Sequence, residues 1–374
     1  MSESWQGYRL VPEDVLFFRD GKPSSIGEDH YLRSIFLPYP STIFGMVRTR
    51  RMQEQGCDLS QVSETWWDKL PSGVRDEVGE WGGYGSLKLH GPWLVRDTPD
   101  GEHEILLPAP LDLLVNSIPK DSADGAQKVT SVLRLLRVEN HRRGKWSHDL
   151  GAMSPCAYKS GQWTEPDAGE KEPKPAQGWF LTMHGIESWM AGLAPSPEVF
   201  FDGRALWSVE MRSGVGLQSE RRVSQDGMLY TFGLIRLARG VSIGFELSGG
   251  KLEIGHHVRL GGENRLAFLT EAASMSAQLK EPARASDGSV FSLLAPGIFD
   301  AGSTPPTRVS AAVVPDCVRV GGWDLARSGP KPLWRAAPAG SVYYIDDPQE
   351  QLSSLSKQSN EGFGLMLRGS RPRR

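Results

Sequence analysis

Residues 15–51 read VLFFRDGKPSSIGEDHYLRSIFLPYPSTIFGMVRTRR. Val15–Phe18 is a short apolar run of strong strand formers, and Arg19-Asp20-Gly21 stops it with turn chemistry. A buried strand is therefore predicted to end with Arg19 at its lip. Pro38 and Pro40 hold the following approach extended, Ser41 or Thr42 can cap a first helical turn, and Ile43, Phe44 and Val47 make one apolar face. Arg48, Arg50 and Arg51 load the last turns with positive charge, and Gly56 supplies a stop. A helix entrance with free N–H groups, a hydroxyl and nearby arginines can hold a phosphate. The same arginines can equally do no more than cap and solubilise the helix.

Around this stretch the chain runs to 374 residues, too long for one ordinary core, so two domains are expected with a boundary near residue 200. Hydrophobic residues at 39% and charged residues at 23% fit a globular protein rather than a disordered or fibrous one. With Gly 42 and Pro 26, many turns and long loops are expected between short elements. The formal net charge of -3 excludes a uniformly basic nucleic-acid binder, so any such contact must be local. Cys57, Cys156 and Cys317 lie far apart, which excludes a zinc ribbon, argues against a disulfide framework and fits a reducing cytoplasm. No signal-like N-terminus and no apolar run of about 18 residues occurs, which speaks against export or membrane spanning.

Tyr8–Val15 alternates, so residues 5–18 are expected to form the first strand. Residues 60–81 read as helix interrupted at Pro71, with Trp66, Trp67 and Trp81 filling core. Tyr84–Val95 and Glu104–Leu107 read as a strand pair turning at Thr98–Gly101, and 117–128 as a loop. Glu139–Trp146 is a basic cluster with an aromatic inside it, able to clamp a single-stranded backbone. Thr164–Gly178 is proline-rich and charged, an exposed insertion. Strands are predicted at Phe180–Met183, Ala205–Met211, Leu229–Leu237, Val241–Leu247, Arg265–Leu269 and Val342–Ile345, with helices at Ile186–Leu193, Ala285–Leu294 and Pro348–Ser356.

Arg212-Ser213-Gly214-Val215-Gly216, with Arg221, Arg222 and the segment up to Tyr230, concentrates three arginines and two glycines within one loop's reach. It reads as a phosphate cradle or as a long β-hairpin with a basic tip. It is neither a Walker loop nor a dinucleotide fingerprint. Leu260–Arg265 and Gly362-Phe363-Gly364 are further glycine turns without a nucleophile. The histidines are scattered, His256 and His257 would face opposite sides of a strand, and no nucleophile elbow or His-Glu-x-x-His is present.

Leu16-Phe17-Phe18-Arg19-Asp20-Gly21-Lys22-Pro23, followed by Leu37-Pro38-Tyr39-Pro40-Ser41-Thr42-Ile43-Phe44-Gly45, resembles the opening of subunit three of the Cmr complex, the type III-B CRISPR effector. The resemblance continues in order through Gly91-Pro92-Trp93, Arg212–Tyr230, Leu260–Arg265, Pro338-Ala339-Gly340 and Gly362-Phe363-Gly364. It implies an α+β protein of two ferredoxin-like, RRM-related RAMP domains with long loop insertions: 1–200, with an insertion around 138–180, and 201–374. It also implies a cytoplasmic subunit with no nuclease centre, cofactor or metal, no membrane contact and no DNA bound directly. Such a subunit caps the repeat-derived 5′ tag of the crRNA and touches the large cyclase/polymerase-type subunit and backbone RAMP subunits. Carried onto this chain, the tag contacts would come from Arg19, Ser41, Thr42, Arg48, Arg212, Gly214, Gly216, Arg221, Arg222, Gly362, Phe363 and Gly364. His141, Arg142, Arg143 and Lys145 fall where related subunits carry an extended finger. Two alternatives remain open at this stage. One is a metal-independent endoribonuclease of the same superfamily using His141 or His148 with Lys145; the other is a scaffold that hardly touches RNA.

Overall fold

The computed structural model describes residues 4–19, 31–60, 63–120, 124–137, 147–148, 151–152, 156–157, 172–217, 224–279, 288–324, 327, 329–346 and 356–372. Its principal elements, in chain order, begin with β1 (Gln6–Pro12), β2 (Tyr31–Arg33), α1 (Pro40–Glu54), α2 (Glu64–Trp67) and α3 (Ser72–Val78). Next come β3 (Lys88–Asp97), β4 (His103–Pro108), β5 (Leu113–Pro119), β6 (Gln127–Arg134), β7 (Trp179–Thr182), α4 (Met183–Met190) and β8 (Phe200–Asp202). They are followed by β9 (Trp207–Leu217), β10 (Ser224–Leu237), β11 (Val241–Ser248), β12 (His256–Arg259) and β13 (Leu266–Ala272). The last are β14 (Val290–Leu293), β15 (Val309–Val313), β16 (Val342–Ile345) and β17 (Met366–Gly369). The fold is α+β, mostly strand with few helices.

The chain forms two compact units, each drawn from three separate stretches: 1–92, 207–272 and 319–334, and 93–206, 273–318 and 335–374. This differs from a contiguous division into 1–200 and 201–374. The reason lies in β1, which pairs antiparallel with both β11 and β13 and so draws residues beyond 200 into the first unit.

In the first unit the strand order is β3-β11-β1-β13-β12, β3 contributing its Lys88–Pro92 half. Tyr8 and Leu10 of β1 are fully buried, and Tyr8 lies opposite Phe245 in β11. Helix α1 turns Ile43, Phe44 and Val47 into the same core, beside Trp67 and Val78. Each such side chain contributes about 1.5–3 kcal/mol by leaving water. Trp66 and Trp81 pack against this core, as expected. β1 stops at Pro12; Val15–Phe18 continues as a buried segment joined by isolated bridges, Leu16 to Ile235 and Phe17 to Gly261.

In the second unit β4, β7 and β8 pair in that order, and a separate sheet runs β15-β16-β14-β17. Residues Val290–Leu293 are strand rather than the expected helix, because β14 is completely buried between β16 and β17 and tertiary pairing overrides local preference. The expected loop at 117–128 holds at Lys120 and 124–126, but its ends are strand: Ser117–Pro119 and Gln127–Lys128 belong to the hairpin β5–β6, in which Ile118 faces Lys128 and Pro119 faces Gln127. Its polar, half-exposed arms hide the alternation. The helix expected over Pro348–Ser356 lies outside the described residues apart from Ser356.

A buried ion pair ties this unit together. Arg134 Nε donates to Asp112 Oδ2 at 2.8 Å, Trp189 Nε1 donates to Asp112 Oδ1 at 2.8 Å, and Tyr344 O–H reaches the same carboxylate at 3.4 Å. Arg134 also donates to the carbonyls of Trp189 and Ser370 and lies over the Trp189 ring. Burial pushes the Tyr344 phenol pKa upward, and the adjacent Asp112 adds to it. Removing one partner leaves the other charge buried and uncompensated, which costs about 3–5 kcal/mol. Asp112→Ala is therefore expected to lower the free energy of urea unfolding by that amount and so shift the midpoint to lower urea, and a midpoint within error of wild type would contradict it.

Candidate nucleic-acid interface

Val15–Phe18 is pinned by its backbone from three directions. Leu16 exchanges both hydrogen bonds with Ile235 at 2.8 Å, Gly262 N–H donates to Phe17 O at 2.8 Å, and Ile35 N–H donates to Phe18 O at 2.9 Å. Gly261 has φ +76°, and a Cβ there would lie 2.4 Å from Phe17 O, so the turn after β12 needs glycine to approach. Arg19 leaves this segment exposed, its backbone bridged to Ser34.

Helix α1 is capped by Tyr39 in extended conformation, with Pro40 in the first turn and no side-chain cap. Ser41 and Thr42 are thus first-turn residues rather than caps; proline fits a turn whose N–H groups have no helical partner. The Arg48 guanidinium lies over the rings of Trp67 and Phe44, 4.8 and 5.9 Å from their centroids. Arg50 and Arg51 are each paired with Glu54 at 2.7 Å, and Arg51 with Glu77 at 2.8 Å. These α1 arginines serve the helix and its packing.

The segment from Arg212 to Tyr230 is a hairpin. β9 and β10 pair from Trp207 opposite Leu237 to Leu217 opposite Ser224, with an irregularity between Val215 and Leu217 that contains Gly216. Gly214 faces Tyr230, and a Cβ there would meet the tyrosine ring at 2.4 Å, so this glycine makes room for an aromatic across the strand. Arg212 donates to Glu210 at 2.7 Å and to Asp14 at 3.1 Å, and Arg236 reaches Asp14 at 2.8 Å and also pairs with Glu210. Hydrogen bonds from Arg236, then Arg212, hold the Asp14 and Glu210 carboxyls below their usual range.

Gly362-Phe363-Gly364 is buried in the second unit. Phe363 is 1% exposed, so its ring is core and is not presented for stacking. A Cβ on Gly364 would lie 2.2 Å from Ser356 Cβ, and Gly364 N–H donates to Pro296 O at 2.9 Å. Arg19, Ser41, Thr42, Arg48, Arg212, Gly214 and Gly216 belong to the first unit; Gly362, Phe363 and Gly364 belong to the other. His141, Arg142, Arg143, Lys145, Arg221 and Arg222 lie outside the described residues. Asp14, Glu210 and Arg236 escaped the sequence reading, although Glu210-x-Arg212 at strand period was the available signal.

Among the described residues no group of three or more His, Cys, Asp or Glu side chains is placed to hold a metal, and no helix is long and apolar enough to cross a membrane. His256 and His257 are both exposed on β12, His257 lying 2.7 Å from Glu13.

The family model for CRISPR-associated protein (Cas_Cmr3) matches residues 8–371. The chain therefore belongs to the Cas_Cmr3 family, the type III-B Cmr-complex subunits whose motifs its sequence resembles. Similar solved structures include a type III-B Cmr-beta complex bound to cognate target RNA, 13% identical, covering 97% of this chain and 96% of that chain, with TM-score 0.49. Another, with cognate target RNA and AMPPnP, is 14% identical over 91% and 86%, TM-score 0.45. A Csm3–Csm4 subcomplex of the type III-A CRISPR-Cas interference complex is 10% identical over 91% and 92%, TM-score 0.40. No curated protein sequence matches the chain.

The Asp14–Glu210 cluster makes hairpin stability pH-dependent with a defined sign. Depressed carboxylate pKa values contribute stability above the unfolded values, and that contribution is lost as pH falls through the folded ones. In thermal melts, the deficit of Glu210→Gln against wild type is expected at neutral pH, closing as pH drops below the ordinary glutamate value of 4.5. It should shrink in about 1 M salt, since the pairs are exposed. A deficit unchanged by acid would contradict this assignment.

Proposed function

We propose that this chain is the non-catalytic subunit of a type III-B CRISPR effector that caps the repeat-derived 5′ tag of the guide RNA. It does so while touching the large cyclase-type subunit and the first backbone subunit, as a cytoplasmic component of a ribonucleoprotein. The observation that carries the reading is the family match from residue 8 to residue 371, end to end. Both compact units are proposed to be variants of the ferredoxin-like RAMP fold. Single-stranded RNA is held by amide and basic contacts to phosphate and by stacking of splayed bases, which needs local features and no global positive charge.

The proposed contacts are Arg19, the helix start at Ser41 and Thr42, and the hairpin bearing Arg212, Arg221 and Arg222. Its two paired arms are long, and the sequence between them carries Glu220-Arg221-Arg222, which supports a basic contact there. Arg48 and Phe363 are less suited, because their side chains are used in packing. Bond breaking is assigned to other subunits.

Arg221→Ala is expected to lower tag affinity and flatten the salt slope of binding by about one unit. Arg212→Ala should do so less, its guanidinium being already balanced by Glu210 and Asp14. The purified full chain, incubated with repeat RNA under chelator, is expected to leave it uncut. Clean cleavage abolished by His141→Ala, or normal assembly and guide protection in both arginine variants, would overturn the proposal.

A further inference from the structure

The three-stranded sheet β9-β10-β2 has two chemically different faces. Glu210, Arg212 and Arg236 occupy one, locked together with Asp14. The register places Met211 opposite Gly233 and Gly233 opposite Arg33, and Ser213 opposite Thr231 and Thr231 opposite Tyr31. Directly paired residues project to the same face, so Val209, Met211, Ser213, Thr231, Tyr31 and Arg33 form the second face around Gly233.

That face is open. Val209 and Met211 are each 54% exposed and Tyr31 is 46% exposed. Tyr31 lies partly on the sheet: its hydroxyl oxygen would be 2.7 Å from a Cβ on Gly233, so the glycine makes room for the phenol end of the ring. Arg33 is exposed and has no ion-pair partner among the described residues, whereas each described arginine on the opposite face is paired. The Ser213 and Thr231 hydroxyls, 3.4 Å apart, add donors beside the ring. None of the described strand residues on this face is acidic.

We propose that this face is a stacking site for a nucleotide of single-stranded RNA, with the base against Tyr31 and Met211 and the phosphate drawn to Arg33. The proposal rests on the reading that the chain holds guide RNA, and assigns one contact of that function to the sheet face opposite Glu210 and Arg212. An aromatic with a neighbouring cation suits a base and its phosphate. Three exposed apolar side chains are too few for a stable protein interface, which takes about 20–30 residues a side. Among the described residues, the carboxylates of Glu210 and Asp14 are engaged by the arginines of the other face, which favours an anionic ligand here.

The test uses the full chain and the assembled complex with synthetic repeat-derived RNA carrying 2-aminopurine at successive positions. Wild type is expected to quench one position. Tyr31→Ala should abolish that quench and weaken binding about 5- to 150-fold, the range for losing one base-stacking aromatic. Tyr31→Phe keeps the ring and should bind within about twofold of wild type, which controls for folding. Arg33→Ala should flatten the salt slope by about 0.7 unit, as expected for one phosphate on a single strand. If wild type binds and Tyr31→Ala binds and quenches equally, this inference fails while the proposed function stands. Loss of complex assembly in Tyr31→Ala with unchanged RNA affinity would make the face a protein contact and overturn it. Failure of wild type to bind RNA in either form overturns both.

Discussion

The first unit depends on the backbone of Val15–Phe18, four apolar residues with no room to move. Their amides and carbonyls are shared among β10, the segment leading to α1 and the glycine turn after β12. Buried peptide groups left unpaired would each cost about 1–3 kcal/mol, so these partners fix one another's positions. Val15 and Phe17 pack against Leu234, with Leu32 and Phe232 around them, while Leu16 and Phe18 turn into the large core beneath α1. Alternation within four residues thus divides one segment between two apolar clusters. Arg19 at one end and the hairpin alongside inherit their positions from that anchoring.

The hairpin uses alternation again, this time to sort charge. Placing Glu210 and Arg212 two apart on β9, with Arg236 across on β10, produces an exposed, self-neutralised network on one face. Such surface pairs add little stability each. Their larger consequence is that the Glu210 carboxylate is engaged on the face away from Arg33 and Tyr31, so a molecule of net charge -3 can still offer an anion-tolerant surface. Global charge sets long-range steering, but contact is decided over a Debye length of about 10 Å.

Much of this was legible in the sequence where local signals and tertiary context agree. Val15–Phe18, the apolar face of α1, the break at Pro71 and the β3–β4 turn are all written in periodicity and turn residues. Ala285–Leu294 misled because Val290–Leu293 is buried on both sides, which removes the alternation that marks a strand. The cap of α1 misled because the helix starts one residue earlier, at Pro40, which lacks an N–H and has its φ preset for a first turn, so Ser41 and Thr42 fall inside the helix. Discontinuous units were invisible for a different reason: nothing local in β1 announces partners more than two hundred residues away.

The candidate site shows the same division more sharply. Glycines in the quoted motifs read alike in sequence, yet they do different physical work. Gly261 lets a backbone approach Phe17, Gly214 lies under an aromatic ring, and Gly364 fits against Ser356 in a buried turn. None of these three requires a ligand to explain it. What packing leaves over on the hairpin's open face is a cation with no ion-pair partner among the described residues and an aromatic ring seated on a glycine. Those residues sit in a three-residue strand, Tyr31–Arg33, too short for periodicity to reveal. Its binding chemistry comes into view only when parallel pairing with β10 sets it beside Gly233 and Thr231.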